Sequence, residues 1–175
     1  MSKLRKATTS PFTITHYPTI EKNMAQASVK MIRGILDHIL KESVKRWGGD
    51  LVSMVLFGSF ARGDVHQHSD VDLLLVVKEL PKDWRQRSAV ELSLERMGLQ
   101  LSRPIQVVLV KPDEVRLAVD NITPFLLEIR ESYYCLLDRD GFFQDEMRRL
   151  GAVLFARGVR KLAEHKWEVP ELARP

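Results

Sequence analysis

The chain has 175 residues, with 27 Lys and Arg against 23 Asp and Glu for a formal net charge of +4, and 45% of it is hydrophobic. That length and composition exclude general disorder and predict one ordinary domain, large enough to bury a core without disulfide or metal staples. No apolar run reaches bilayer-spanning length, no apolar stretch follows the basic start Met1–Lys6, and the single cysteine, Cys135, excludes an intramolecular disulfide and a cysteine-cluster zinc site; a cytoplasmic protein with no membrane partner is expected.

Residues 1–18 are polar, carry Pro11 and Pro18, and read as a loose arm. A helix is predicted from Thr19, because Met31, Ile35 and Ile39, with Ile32, Leu36 and Leu40 beside them, recur at the spacing of one helical face. Trp47-Gly48-Gly49-Asp50 ends it. Leu51–Phe57 and Val71–Val77 are short apolar runs and read as buried strands. Asp83–Gly98 has helical character, with Val90, Leu92, Leu94 and Met97. Pro104–Val110 alternates little and is expected to be a strand buried on both faces. Short helices are expected at Lys111–Val115, where Pro112 suits a first turn, and from Thr123 to about Ser132. Tyr133–Leu137 is a fourth strand, with Cys135 a buried structural thiol inside it. Asp138–Gly141 is a turn. A last helix is predicted from Phe142, with Phe143, Met147, Leu150, Leu154 and Leu162 on one stripe.

This order predicts an α/β (α+β) domain: a small mixed sheet of about four strands flanked by helices, with helices at both ends. The division expected is an arm at 1–18, a core domain at 19–137 and a C-terminal helix and tail at 138–175. The excess positive charge sits at the ends. Residues 1–50 carry 9 basic against 4 acidic side chains, whereas residues 51–137 carry 10 against 12.

One stretch carries chemistry: Phe57-Gly58-Ser59-Phe60-Ala61-Arg62-Gly63-Asp64, then Ser69-Asp70-Val71-Asp72-Leu73. Gly58-Ser59 follows a strand and opens a turn, which lets backbone N–H groups and a hydroxyl approach phosphate oxygens. Arg62 lies three residues on and is placed to reach the same anion. Asp70 and Asp72 stand two apart at a strand start, so both carboxylates share one face. Two such carboxylates repel unless a hard cation lies between them, and Mg²⁺ shares its shell readily with substrate phosphates. Phosphate cradle plus paired metal carboxylates points to phosphoryl or nucleotidyl transfer.

Gly58-Ser59, ten residues, then Asp70-Val71-Asp72 resembles the signature of the DNA polymerase β-type nucleotidyltransferase superfamily, and within it the minimal nucleotidyltransferases, many of them antitoxin partners of helical HEPN proteins. The resemblance implies a nucleotidyltransferase fold. It implies an NTP, with ATP the first choice, and Mg²⁺ held by Asp70 and Asp72. Gly58, Ser59, Arg62 and Ser69 would contact the nucleotide phosphates. The implied reaction moves a nucleoside monophosphate to an acceptor hydroxyl, such as one on a HEPN-type partner. A homo-oligomer is compatible with it. The superfamily usually places a third carboxylate on the next core strand, and that position is Gln106, whose amide brings no charge and accepts no proton. Another carboxylate, Asp64 or Asp113 among them, then substitutes, or catalysis is slow, or the domain binds nucleotide and regulates a partner by contact alone.

The remaining candidates are weaker. His66 and His68 read as polar loop residues beside the phosphate site rather than metal ligands. Arg160 and His165 have the spacing of a HEPN ribonuclease motif, but His165 is expected on the apolar stripe of the last helix. The basic arm at Lys3, Arg5 and Lys6 reads as a solvated terminus, so nucleic acid is not the expected partner. Transfer to a small molecule would call for a larger substrate domain than residues 138–175 provide.

Overall fold

The computed structural model describes residues 26–100, 103–163 and 166–170. Helix α1 (Gln26–Trp47) leads into β1 (Leu51–Phe57), a short α2 (Gly58–Arg62) and β2 (Val71–Val77). Then come α3 (Trp84–Gln100), β3 (Ile105–Val110), α4 (Pro112–Asp120) and α5 (Pro124–Glu131). The chain ends its main body with β4 (Tyr134–Asp138) and α6 (Phe142–Ala156), followed by β5 (Arg160–Ala163) and β6 (Lys166–Glu168). The expected start of α1 at Thr19 lies outside the described residues.

The main sheet has the order β3-β2-β1-β4. β1 runs antiparallel to β2 and β4, and β2 runs parallel to β3. Mixed pairing follows from the connections. The connection through α2 brings β2 back antiparallel beside β1, and the longer α3 crossover carries β3 parallel to β2. The fold class read from the sequence holds: an α/β domain with a four-stranded mixed sheet and helices on both faces.

Two cores lie on either side of the sheet. Ile32, Ile35, Leu36 and Ile39 of α1 and Leu94 of α3 pack on Met54, Leu56, Leu73 and Leu75. Val115 and Val119 of α4, Leu126 and Ile129 of α5 and Met147 and Leu150 of α6 pack on Val55, Phe57, Leu74 and Val76. Covered on both faces, β1 and β2 lose any need for polar alternation, which is why they read as clean apolar runs.

Three expectations are corrected. β3 is not buried on both faces. It is an edge strand on which buried Ile105, Val107 and Leu109 alternate with exposed Gln106 and half-buried Val108 and Val110. Its outward N–H groups are nevertheless satisfied, since Val107 N–H donates to Glu95 Oε1 at 3.1 Å and Leu109 N–H to Glu91 Oε1 at 3.0 Å. The fourth strand is shifted by one residue, because Asp138 completes β4 as a partner of Ser53. The last helix stops at Ala156 rather than continuing through Leu162. Gly158 takes φ +64°, its N–H donates to Phe155 O, and Val159 N–H donates to Leu154 O, which closes the helix in a Schellman motif. Beyond it lies the antiparallel pair β5–β6, in which Leu162 is 56% exposed rather than part of a core stripe. Position 165 lies outside the described residues.

Candidate active site

The site is assembled at one end of the sheet, where β1 stops and β2 starts. Phe57 pairs with Asp72 across β1 and β2, and Asp72 pairs with Gln106 across β2 and β3. These three side chains therefore share one row. Gly58 turns the chain into α2 with φ +71°, a conformation that a side chain strains. A Cβ at Gly58 would stand 2.9 Å from Asp72 Cγ and closer still to Oδ2. Gly58 thus lays bare backbone against the Asp72 carboxylate, and only glycine leaves that space open.

Ser59 opens α2, half-buried, with its carbonyl accepting from Asp64 N–H at 2.9 Å. Arg62 closes the helix, and its charge acts on Asp72. Asp70 is exposed immediately ahead of β2. Asp72 is half-buried, and its pKa is raised from 3.8 to about 6. Burial is the largest cause, the negative charges of Asp70 and Glu128 add to it, and Arg62 opposes it. Such a pair of carboxylates fits a hard divalent cation, which would relieve the repulsion that now lifts Asp72. Among the described residues no three His, Cys, Asp or Glu stand close enough to hold a metal ion together. A cation on Asp70 and Asp72 would draw the rest of its shell from phosphate oxygens and water.

Other predicted residues take their places around this centre. The Ser69 hydroxyl accepts from His66 N–H at 2.8 Å and Ser69 N–H donates to His66 O at 3.1 Å, so this residue is tied into the loop that delivers Asp70. His66 and His68 are exposed on that loop, with His66 Nε2 3.8 Å from Asp64 Oδ1. Cys135 is half-buried, and burial first, then the Asp138 charge, pushes its thiol up to about 12, far from a nucleophile's range. Asp113 heads α4, just past the far end of β3 from Gln106, so it does not serve this centre.

A profile described as "Nucleotidyltransferase domain" matches residues 36–135, which include the whole row and the Gly58-Ser59 turn. The chain belongs to the nucleotidyltransferase family. A protein of Methanocaldococcus jannaschii named "Putative protein adenylyltransferase MJ1305" is 33% identical over 151 residues, covering 82% of this nucleotidyltransferase and 97% of that protein. A second from the same organism, "Putative protein adenylyltransferase MJ0141", is 28% identical over 58% of this chain and 94% of its own length. A solved toxin–antitoxin structure, MntA-HpeT, superposes with a TM-score of 0.47 at 13% identity, over 70% of this chain and 92% of that one.

Two residues beside the candidate site of the nucleotidyltransferase escape a reading of the sequence alone. Arg103 Nη1 donates to Ser69 O at 3.1 Å and to Gln67 O at 3.3 Å, while its guanidinium lies 5.6 Å over the Phe60 ring. It clamps the loop before Asp70 onto α2, and nothing in its position ahead of Pro104 signals that. Glu128 is the other. It lies on α5, more than fifty residues from the motif, and no spacing rule connects the two.

Proposed function

We propose that this nucleotidyltransferase moves AMP from ATP to a hydroxyl of a protein acceptor. The observation that carries the reading is the contact of Gly58 with Asp72, which joins a phosphate cradle to a carboxylate that needs a cation. The name of the 33% identical relative supports adenylyl transfer to protein. Gly58 and Ser59 would present N–H groups to the outer phosphates, and Arg62 would add charge against them. Asp70 and Asp72 would hold Mg²⁺, which when bound supplies charge neutralisation at the α-phosphate and the leaving pyrophosphate. The acceptor oxygen attacks the α-phosphorus, the bond to the bridging oxygen breaks, and pyrophosphate leaves with that electron pair. The finer reading, an antitoxin that modifies a HEPN-type helical partner in the cytoplasm, follows from the sequence resemblance.

Gln106 favours a second reading. It stands beside Asp72 where a further charge would help, and a domain so altered could bind nucleotide and restrain its partner by contact alone. The test is incubation with α-labelled ATP, Mg²⁺ and the product of the adjacent gene. Label appearing on the acceptor, and absent with Asp70→Asn or Asp72→Asn, supports the transferase. A tight complex that never acquires label leaves the contact reading standing instead.

A further inference from the structure

We propose that Glu128 is the proton acceptor for the incoming hydroxyl, taking the role that Gln106 cannot fill; this rests on the transferase reading above. Helix α5 is pinned across the site at both ends. Phe125 meets Phe57 edge to face with ring centroids 5.6 Å apart, and Phe57 is the cross-strand partner of Asp72. Seven residues on, Ser132 Oγ donates to Ala61 O of α2 at 2.6 Å. Phe125 and Glu128 stand three residues apart and are neighbours on the surface of α5, and Ser132 follows just past the helix end in extended backbone. Glu128 lies between the two anchors along the chain, one turn from the ring that meets Phe57. Its carboxylate is close enough to act on Asp72, and it stays exposed while Leu127 and Ile129 on either side are buried.

The other side of Glu128 is open. It lines a cavity of about 350 Å³ between α5 and the chain's last strand, with Ile122, Leu127, Trp167 and Val169 as apolar walls. Among the described residues, Glu128 is thus the acidic side chain given both to this cavity and to the field of Asp72. A hydroxyl borne on an apolar or aromatic side chain could enter there and meet the carboxylate before it meets the phosphate. In the transfer its proton passes to Glu128 as the new O–P bond forms, pyrophosphate departs with its electron pair, and Glu128 returns the proton to water. With Asp70 and Asp72 committed to the cation, no third metal ligand is required of Glu128.

The experiment compares wild type, Glu128→Gln, Glu128→Ala, Asp113→Asn and Asp64→Asn. Two measurements are made: label transfer from α-labelled ATP to the acceptor, and binding of Mn²⁺ with a non-hydrolysable ATP analogue, read by Mn²⁺ paramagnetic resonance. Glu128→Gln is expected to slow transfer about 10²–10⁴-fold, the range of a lost general base, with Mn²⁺–nucleotide affinity within about threefold of wild type. Added formate is expected to restore part of the rate to Glu128→Ala, which a purely structural loss would not allow. Asp113→Asn should transfer as wild type does, and loss of transfer in Asp64→Asn with Glu128→Gln unimpaired overturns the proposal in favour of Asp64. Normal transfer by Glu128→Gln overturns the proposal and leaves the transferase reading intact. Equal loss of Mn²⁺–nucleotide binding also overturns it, since Glu128 would then be a ligand or a prop. A wild type that binds Mn²⁺ and nucleotide yet labels no acceptor overturns the transferase reading, and this proposal with it.

Discussion

At the residue scale, the site turns on a glycine and a carboxylate in contact. Gly58→Ala puts a methyl group into the space that Asp72 occupies and strains a backbone at φ +71°. The core beneath is untouched, so the variant should fold with a far-ultraviolet spectrum like wild type and lose Mg²⁺–ATP binding by at least tenfold in calorimetry. Asp72 adds a pH prediction. Its pKa is raised in the folded state to about 6 from 3.8, so the folded protein holds the proton more tightly than the unfolded one. That contribution to stability is full below about pH 4 and is lost as pH rises through 6. Asp72→Asn, which cannot ionise, should therefore stabilise the metal-free protein at pH 7.5. For a half-buried group screened by solvent we expect about 1 kcal/mol, or roughly 2–4 °C in Tm, and a smaller gain at pH 4. A lower Tm at pH 7.5 would contradict the assignment of burial and like charge as the cause. The same linkage makes Mg²⁺ compete with a proton, so its affinity should fall as pH drops below 6. The motif itself was legible because it is local: a glycine, a serine and two aspartates fix their own spacing. Glu128 and Arg103 were not, because tertiary packing alone brings them to the site.

At the scale of elements, periodicity served well where a helix or strand has one unambiguous environment. Ile32, Ile35, Leu36 and Ile39 mark the buried face of α1 as their spacing predicts, and β1 and β2 are the central strands that their unbroken apolar runs imply. It misled at β3, where a run of six mostly apolar residues belongs to an edge. The missing signal lies in α3. Glu91 and Glu95, four residues apart on one helical face, accept the outward N–H groups of Leu109 and Val107 and so shield the edge from another chain's strand. Read in the sequence, these two glutamates look like ordinary solvated helix residues. Replacing both with alanine should cost about 1 kcal/mol per bond, because freed N–H groups at an edge regain water. The second consequence is more specific: the variant should self-associate with rising concentration in sedimentation velocity, while wild type under the same conditions does not change. Destabilisation without association would show that the glutamates hold α3 down but do not guard the edge.

At the scale of the whole molecule, the charge count reads differently once the chain is folded. The net +4 suggests a polyanion, yet the centre of the chain is mildly acidic, and the candidate site there is a carboxylate pair beside the Gly58 turn. The last segment was the least legible part. Phe142–Leu154 continues smoothly into Leu162 as a helical stripe, and only the left-handed Gly158 breaks it. Past that glycine the chain forms a two-stranded unit, a kind of structure that is marginal in water alone and needs an anchor on a core. Trp167 is that anchor. It pairs with Lys161 across the two strands, lies 5.9 Å from the Lys161 ammonium, and packs against the core under α5 and α6, while Lys161 Nζ reaches Glu131 Oε1 at 3.0 Å. Trp167→Ala removes the ring that holds the pair to the body and forms one wall of the cavity beside Glu128. For a half-buried tryptophan the cost should be about 2 kcal/mol, which for a chain of this size is a drop of roughly 4–8 °C in Tm. Detachment is the more telling readout. Limited trypsin digestion should cut wild type slowly after Arg157, Arg160 and Lys161 and should cut Trp167→Ala there at least tenfold faster, leaving the body through α6 intact. If the variant is cut there no faster than wild type, the unit is held by Lys161 and its backbone, and the ring is packing without anchoring.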